Sequence, residues 1–248
     1  MEQTFSYELG KTVGAKANFG LIVLQSDETI EHELRRLLPG AEVGIYTSRV
    51  PSGSDVSTES LVQMETTLSG AAELLPPPIN FDVVGYGCTS GTSVIGPDNI
   101  AKLINYGCSV KHVTEPVSAL IAACRALGVR KIAFLSPYVI DVSQTLRMLL
   151  AKNGLQTVVF GSFNEGNEAK VARITGQSIT DAALSLVKGS HADAIFLSCT
   201  NLQTLNVIEE IEAECNLPVL SSNQVLAWHM SVLAQQTDFL ERVGKLMA

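Results

Sequence analysis

The chain has no long apolar run, no excess of basic charge and no paired cysteine motif. Its longest uninterrupted apolar stretches fall far short of the ~20 residues that span a bilayer, so no membrane association is expected. The opening MEQTFSYELG has neither a basic region nor an apolar core, and no secretory leader is expected. Lysine and arginine total 17 against 25 aspartate and glutamate, a net charge of −8. A non-specific nucleic-acid binder needs a basic surface to displace counterions, so nucleic acid is not an expected partner. Small anions stay open as ligands, because helix N-termini bind them without net positive charge.

Other absences narrow the chemistry. The five cysteines, Cys88, Cys108, Cys124, Cys199 and Cys215, include no CxxC and are odd in number, which implies free thiols and a reducing cytoplasm. His32, His112, His191 and His229 make no ligand pair at helical or finger spacing, so no metal is expected. There is no P-loop and no GxSxG. Gly85-Tyr86-Gly87-Cys88-Thr89-Ser90-Gly91 imitates a dinucleotide fingerprint, but its spacing is GxGxxxG, one residue too long, and it comes late in the chain. Its glycines suit a tight turn and close approach to a small anion, and no cofactor is expected.

What is present is alternation. Short runs rich in Val, Ile and Phe occur at Phe19–Leu24, Glu42–Val50, Phe81–Tyr86, Ser109–Val113, Lys131–Leu135, Gln156–Phe160, Asp193–Leu197 and Pro218–Leu220. Between them lie stretches of helical period at Glu28–Leu38, Ser57–Leu74, Pro116–Leu127, Val142–Lys152, Thr180–Lys188, Thr204–Glu214 and Gln224–Ala234. Continuous apolar strands alternating with helices predict an α/β fold with buried parallel sheets.

An internal repeat divides the chain. Residues 21–38 align with residues 133–150 without a gap, both ending in Leu-Arg-x-Leu-Leu, at an offset of 112. Asp82-Val-Val-Gly-Tyr-Gly-Cys-Thr89 aligns with Asp193-Ala-Ile-Phe-Leu-Ser-Cys-Thr200 at an offset of 111. The repeat predicts two similar Rossmann-like halves, residues 1–115 and 116–248, related by a pseudo-twofold axis, with the C-terminal segment able to pack back on the first half. Cys88 and Cys199 become equivalent, each just past the carboxyl end of a buried strand, where open α/β sheets bind ligands. Each is followed by hydroxyl or amide residues, Thr89-Ser90-Gly91-Thr92-Ser93 and Thr200-Asn201, a loop able to offer donors to a carboxylate. A helix N-terminus there would lower the thiol pKa. The other three cysteines have no symmetric partner and read as structural.

Two Cys-Thr motifs, one per half, resemble the aspartate/glutamate racemase superfamily. Gly87-Cys88-Thr89-Ser90-Gly91, Ser198-Cys199-Thr200-Asn201, Ser136-Pro137-Tyr138 and Asn167 before Val171-Ala172-Arg173-Ile174 are similar to its maleate cis-trans isomerase and arylmalonate decarboxylase branch. The resemblance implies a cofactor-free enzyme with its site between the halves. It makes Cys88 and Cys199 the catalytic pair, with Thr89, Ser90, Tyr138, Thr200 and Asn201 holding a substrate carboxylate and Asn167 close to it. Two departures matter. The decarboxylases have Gly where this chain has Cys88, which ranks decarboxylation third. The isomerases carry Asn in a Ser-Ser-Asn-Thr-Thr loop where this chain reads Gln25-Ser26-Asp27-Glu28-Thr29. Asp27 would suit an amino group, or would simply cap the helix that follows.

The expectation is therefore a two-cysteine isomerase of a small carboxylate, assembled as a homodimer, with maleate-type cis–trans isomerisation leading. Amino-acid racemisation, arylmalonate-type decarboxylation and a non-catalytic carboxylate-binding role are the alternatives.

Overall fold

The structure, a computed structural model, describes residues 2–55 and 57–248. The first half runs β1 (Ala17–Leu24), α1 (Ile30–Leu37), β2 (Val43–Val50), α2 (Thr58–Glu73), β3 (Phe81–Gly87), α3 (Thr89–Ile95), α4 (Pro97–Gly107) and β4 (Val110–Thr114). Helix α5 (Pro116–Leu127) leads into β5 (Lys131–Ser136), α6 (Ile140–Lys152), β6 (Gln156–Ser162), α7 (Glu168–Val171), α8 (Gly176–Val187), β7 (Ala194–Leu197), α9 (Ile208–Cys215), β8 (Val219–Ser221) and α10 (Ser222–Leu233).

The strands form two four-stranded sheets, ordered β2-β1-β3-β4 and β6-β5-β7-β8, with every pairing parallel. The same order in both halves is the predicted repeat. β1 and β3, and β5 and β7, are the inner strands. They are buried on both faces, which is why Leu21-Ile22-Val23 and Ile195-Phe196-Leu197 are apolar without alternation. Cys88 directly follows β3, and Cys199 lies two residues beyond β7, both at the carboxyl edge.

Local signals set the helix boundaries. Pro116 opens α5, the Glu115 carboxylate accepts from the N–H groups of Val117 and Ser118, and Gly128 closes the helix at φ 70°. Ser221 and Gln224 form a capping box at the start of α10. α10 packs on α1, α5 and β3. A Cβ on Gly85 of β3 would lie 2.9 Å from Met230 Sδ, so this glycine serves helix–sheet contact. α3 in turn packs against α6 of the second half. Among the described residues no helix is long and apolar enough to cross a membrane.

Candidate active site

The segment after Cys88, expected as a loop, is the helix α3. Cys88 is its N-cap: the thiol sulfur accepts the N–H of Gly91 at 3.1 Å, and its carbonyl accepts the N–H of Thr92 at 3.0 Å. Thr, Ser and Gly are poor helix formers, so the helix depends on burial and on this cap. Gly91 is required for the approach, since a Cβ there would meet Tyr86 Oη at 2.5 Å and Cys88 Sγ at 3.0 Å. The first N–H groups of α3, at Thr89 and Ser90, face no helical carbonyl.

Cys199 sits differently. It has φ 111°, a conformation that costs a non-glycine residue strain energy and persists only where neighbours enforce it. Its N–H donates to Ser222 Oγ at 3.0 Å, its sulfur accepts the N–H of Asn201 at 3.3 Å, and the Tyr138 hydroxyl lies 3.0 Å from the sulfur.

The two Cys-Thr segments are laced together. Thr89 Oγ1 donates to Ser222 Oγ at 2.8 Å, so one buried hydroxyl at the start of α10 joins both cysteine loops. Thr200 Oγ1 donates to the Gly87 carbonyl at 3.2 Å, across the halves. Glu33 of α1, buried, accepts from the N–H groups of Thr204 and Leu205 and from Asn223 Nδ2, which also donates to the Thr200 carbonyl.

Leu24, Asp27, Cys88, Thr89, Ser90, Tyr138, Glu168, Cys199, Thr200 and Asn201 line one small buried cavity. A wider surface depression elsewhere, bordered by Glu209, Glu212, Arg242 and Lys245, gathers no nucleophile. Of the nine residues expected at the site, eight reach the cavity and Asn167 does not. Asn167 caps α7 through its side-chain oxygen and donates its amide to Asp55 Oδ1 at 3.3 Å. The next residue, Glu168, turns inward instead. Its Oε1 accepts from Tyr138 Oη at 2.8 Å and its Oε2 from Asn201 Nδ2 at 2.6 Å. Asn201 Oδ1 accepts the N–H of Glu28 at 2.8 Å, so this amide is committed to the protein on both sides. Asp27 Oδ1 accepts the N–H groups of Thr29 and Ile30, tying off the start of α1 while the residue still lines the cavity.

Burial governs the electrostatics. It pushes Cys88 up to about 12; the Gly91 N–H opposes this, and the charges of Glu168 and Asp27 add to it. Cys199 is held well above the ordinary thiol range by burial and then by Glu168, with the Tyr138 hydrogen bond opposing. The lowering expected from a helix N-terminus is thus outweighed. Burial also raises Asp27 and Glu168 above the usual carboxylate range. The cavity lining contains no Lys, Arg or His. Among the described residues no group of three or more His, Cys, Asp and Glu is placed to hold a metal ion.

Comparison with known proteins gives a consistent set of likenesses. A family model described as arylmalonate decarboxylase matches residues 108–247. A maleate isomerase of Nocardia farcinica is 28% identical over 218 residues, covering 82% of this chain and 84% of that protein. An arylmalonate decarboxylase of Bordetella bronchiseptica is 31% identical over 122 residues, 49% of this chain and 51% of the relative. Among solved structures, a variant of the Nocardia farcinica maleate cis-trans isomerase with a covalently bound succinylcysteine intermediate superposes with a TM-score of 0.84. It is 24% identical and covers 93% of this chain and 98% of that one.

Proposed function

The chain belongs to the arylmalonate decarboxylase family, and we propose that within it this protein is a cofactor-independent isomerase of a small carboxylate that works through Cys88 and Cys199. One observation carries the reading: two thiols from equivalent positions of opposite halves line the same buried cavity. The description of the Nocardia relative favours cis–trans isomerisation of the maleate type.

The hydrogen bonds support distinct roles for the thiols. With Tyr138 Oη donating to Glu168, its oxygen is left to accept from Cys199, so Cys199 is the protonated member. Cys88 receives an N–H at the start of α3 and is the member suited to ionise. In isomerisation the Cys88 thiolate adds to one alkene carbon. The electron pair moves to the neighbouring carbon and into its carboxylate, and the former double bond rotates as a single bond. The pair then returns, the C–S bond breaks and the thiolate leaves. The free N–H groups of Thr89 and Ser90 and the Ser90 hydroxyl suit the carboxylate where charge develops. Tyr138, Thr200 and Asn201 shape the facing wall.

Racemisation is the second reading, favoured by the carboxyl groups of Asp27 and Glu168 on the cavity wall. There one sulfur removes the α-proton and the other thiol delivers its proton to the opposite face, so protons balance. Decarboxylation ranks third, because Cys88 occupies the position where the decarboxylases carry Gly. A homodimer in the cytoplasm is proposed as the working state; five free thiols suit that reducing compartment.

The test is proton NMR in deuterated water with maleate and a panel of small acids, with and without an α-amine. The reading expects either conversion of maleate to its trans isomer or exchange and inversion at an α-carbon. Tight binding with neither reaction would make the protein a binder and overturn the enzymatic reading.

A further inference from the structure

We propose that Tyr86 is a positioning residue for Cys88: its buried hydroxyl donates a hydrogen bond to the sulfur and steadies the thiolate. The proposal rests on the two-cysteine reading and adds to it a residue that never touches the substrate.

The repeat sets Tyr86 apart. Its counterpart in the second half is Leu197, two residues before Cys199. Both lie on inner strands and both are fully buried, so an apolar side chain satisfies that place in the fold. A hydroxyl there needs a partner, because burying a polar group without one is costly. Among the described residues its one acceptor besides Cys88 is Met64 Sδ of α2, at 3.8 Å, a long contact to a weak acceptor.

Strand geometry brings the phenol and the thiol together. Cys88 continues the extended backbone of β3, with φ −151° and ψ 112°. Side chains two residues apart on extended chain share a face, so Tyr86 and Cys88 lie on the same side. Helix α3 then turns over them, and Gly91 leaves the gap they meet in. A Cβ at residue 91 would stand 2.5 Å from Tyr86 Oη and 3.0 Å from Cys88 Sγ. The phenol oxygen, the sulfur and the Gly91 N–H therefore converge in the first turn of α3, where that N–H already donates to the sulfur at 3.1 Å.

Tyr86 is not part of the cavity lining, so it acts on the reaction only through Cys88. The groups facing Cys88 from other elements are acidic or neutral: Asp27 before α1, Glu168 of α7, and Cys199 and Tyr138 of the second half. Burial raises the thiol most and the Gly91 N–H opposes it; Glu168 and Asp27 raise it further, and Tyr86 lowers it. The phenol is itself held well above its ordinary range, by burial and then by Cys88, so it keeps its proton and remains a donor. When Cys88 ionises its proton passes to water, the Tyr86 O–H bond stays intact, and the hydrogen bond to the charged sulfur strengthens.

The experiment is Tyr86→Phe, which keeps the ring and removes only the hydroxyl. Iodoacetamide labelling with peptide mass spectrometry separates Cys88 from Cys199, and turnover is followed on maleate or on the panel acid that reacts. Losing the donor should cut the thiolate fraction about tenfold. The more basic thiolate is the better nucleophile, so Cys88 should alkylate about threefold more slowly. Cys199, which meets a different phenol, should keep its rate. In turnover, kcat should fall about tenfold while KM stays within about twofold, the signature of a residue that does not bind substrate. A hydroxyl with a merely structural role would lower Tm and leave Cys88 labelling unchanged. Met64→Leu conserves volume and removes the competing sulfur. It should quicken Cys88 labelling, and it serves should Tyr86→Phe not fold. Equal Cys88 labelling in the folded variants, or Cys88 and Cys199 slowed alike, would overturn the proposal; should Cys88 resist the reagent in both forms, an unchanged kcat would do so. Failure here is separable from failure of the two-cysteine reading. Unchanged Tyr86→Phe beside inactive Cys88→Ala would sink the role of Tyr86 alone. Slowed Cys88 labelling in Tyr86→Phe, with full turnover by Cys88→Ala, would sink the cysteine pair alone.

Discussion

The Tyr138 hydroxyl stands 3.0 Å from Cys199 Sγ while donating to Glu168 at 2.8 Å, so one phenol couples the second thiol to the buried carboxylate. Tyr138→Phe removes both contacts and leaves Glu168 with one donor fewer in a dry site. Turnover should fall at least tenfold, equivalent to about 1.4 kcal/mol. Stability should drop by about 1–2 kcal/mol, read as a lowered Tm by calorimetry. A variant with wild-type turnover would remove Tyr138 from the chemistry.

The thiols should be quiet in the free protein. With Cys88 pushed up to about 12, its alkylation by iodoacetamide at pH 7 should be slower than that of a free cysteine and should rise about tenfold per pH unit. Stability follows with the matching sign. Below the ordinary thiol pKa both states are protonated and the contribution is complete. As pH rises from about 9 toward 12 the unfolded chain ionises first, and stability is lost. Cys124, also raised to about 12 by burial, adds to the same loss. Urea midpoints at pH 8, 9 and 10 should fall in that order.

Glu33 ties the first helix to the loop that follows Cys199. In Glu33→Gln an amide nitrogen replaces one acceptor facing the donors of Thr204, Leu205 and Asn223. About 2–3 kcal/mol of stability should be lost, with Tm lowered by roughly 4–12 °C at this chain length. An unchanged Tm in a calorimetric scan would show that this buried carboxylate bears no structural load.

Much of this was legible in the sequence. The strand runs and the two-part repeat foretold both sheets, and the repeat alone singled out Cys88 and Cys199 from five cysteines. The α3 helix was not legible, because Thr89-Ser90-Gly91-Thr92-Ser93 has low helix propensity and its helix depends on burial and on a cysteine cap. Gly85 and Gly87 read as turn residues and lie in β3, where they admit Met230 and Ile30 side chains. Glu168 was missed by one position: Asn167 matched the motif, yet it caps α7 and points its neighbour into the cavity. A buried Glu among Asn, Lys and Glu leaves no periodic signal. Ser222 was missed for a related reason, since a serine at a helix start reads as a cap until its place between two distant loops is seen.

The central claim is that both cysteines are needed. The direct measurement is kcat/KM of Cys88→Ala and Cys199→Ala on the acid identified by the NMR panel, with calorimetry to establish that each variant is folded. Each should lose isomerisation or racemisation by at least about a thousandfold, as expected when a nucleophile or an acid–base partner is removed, though one variant is allowed to exchange an α-proton on a single face. Near-normal turnover in both folded variants would contradict the two-cysteine mechanism.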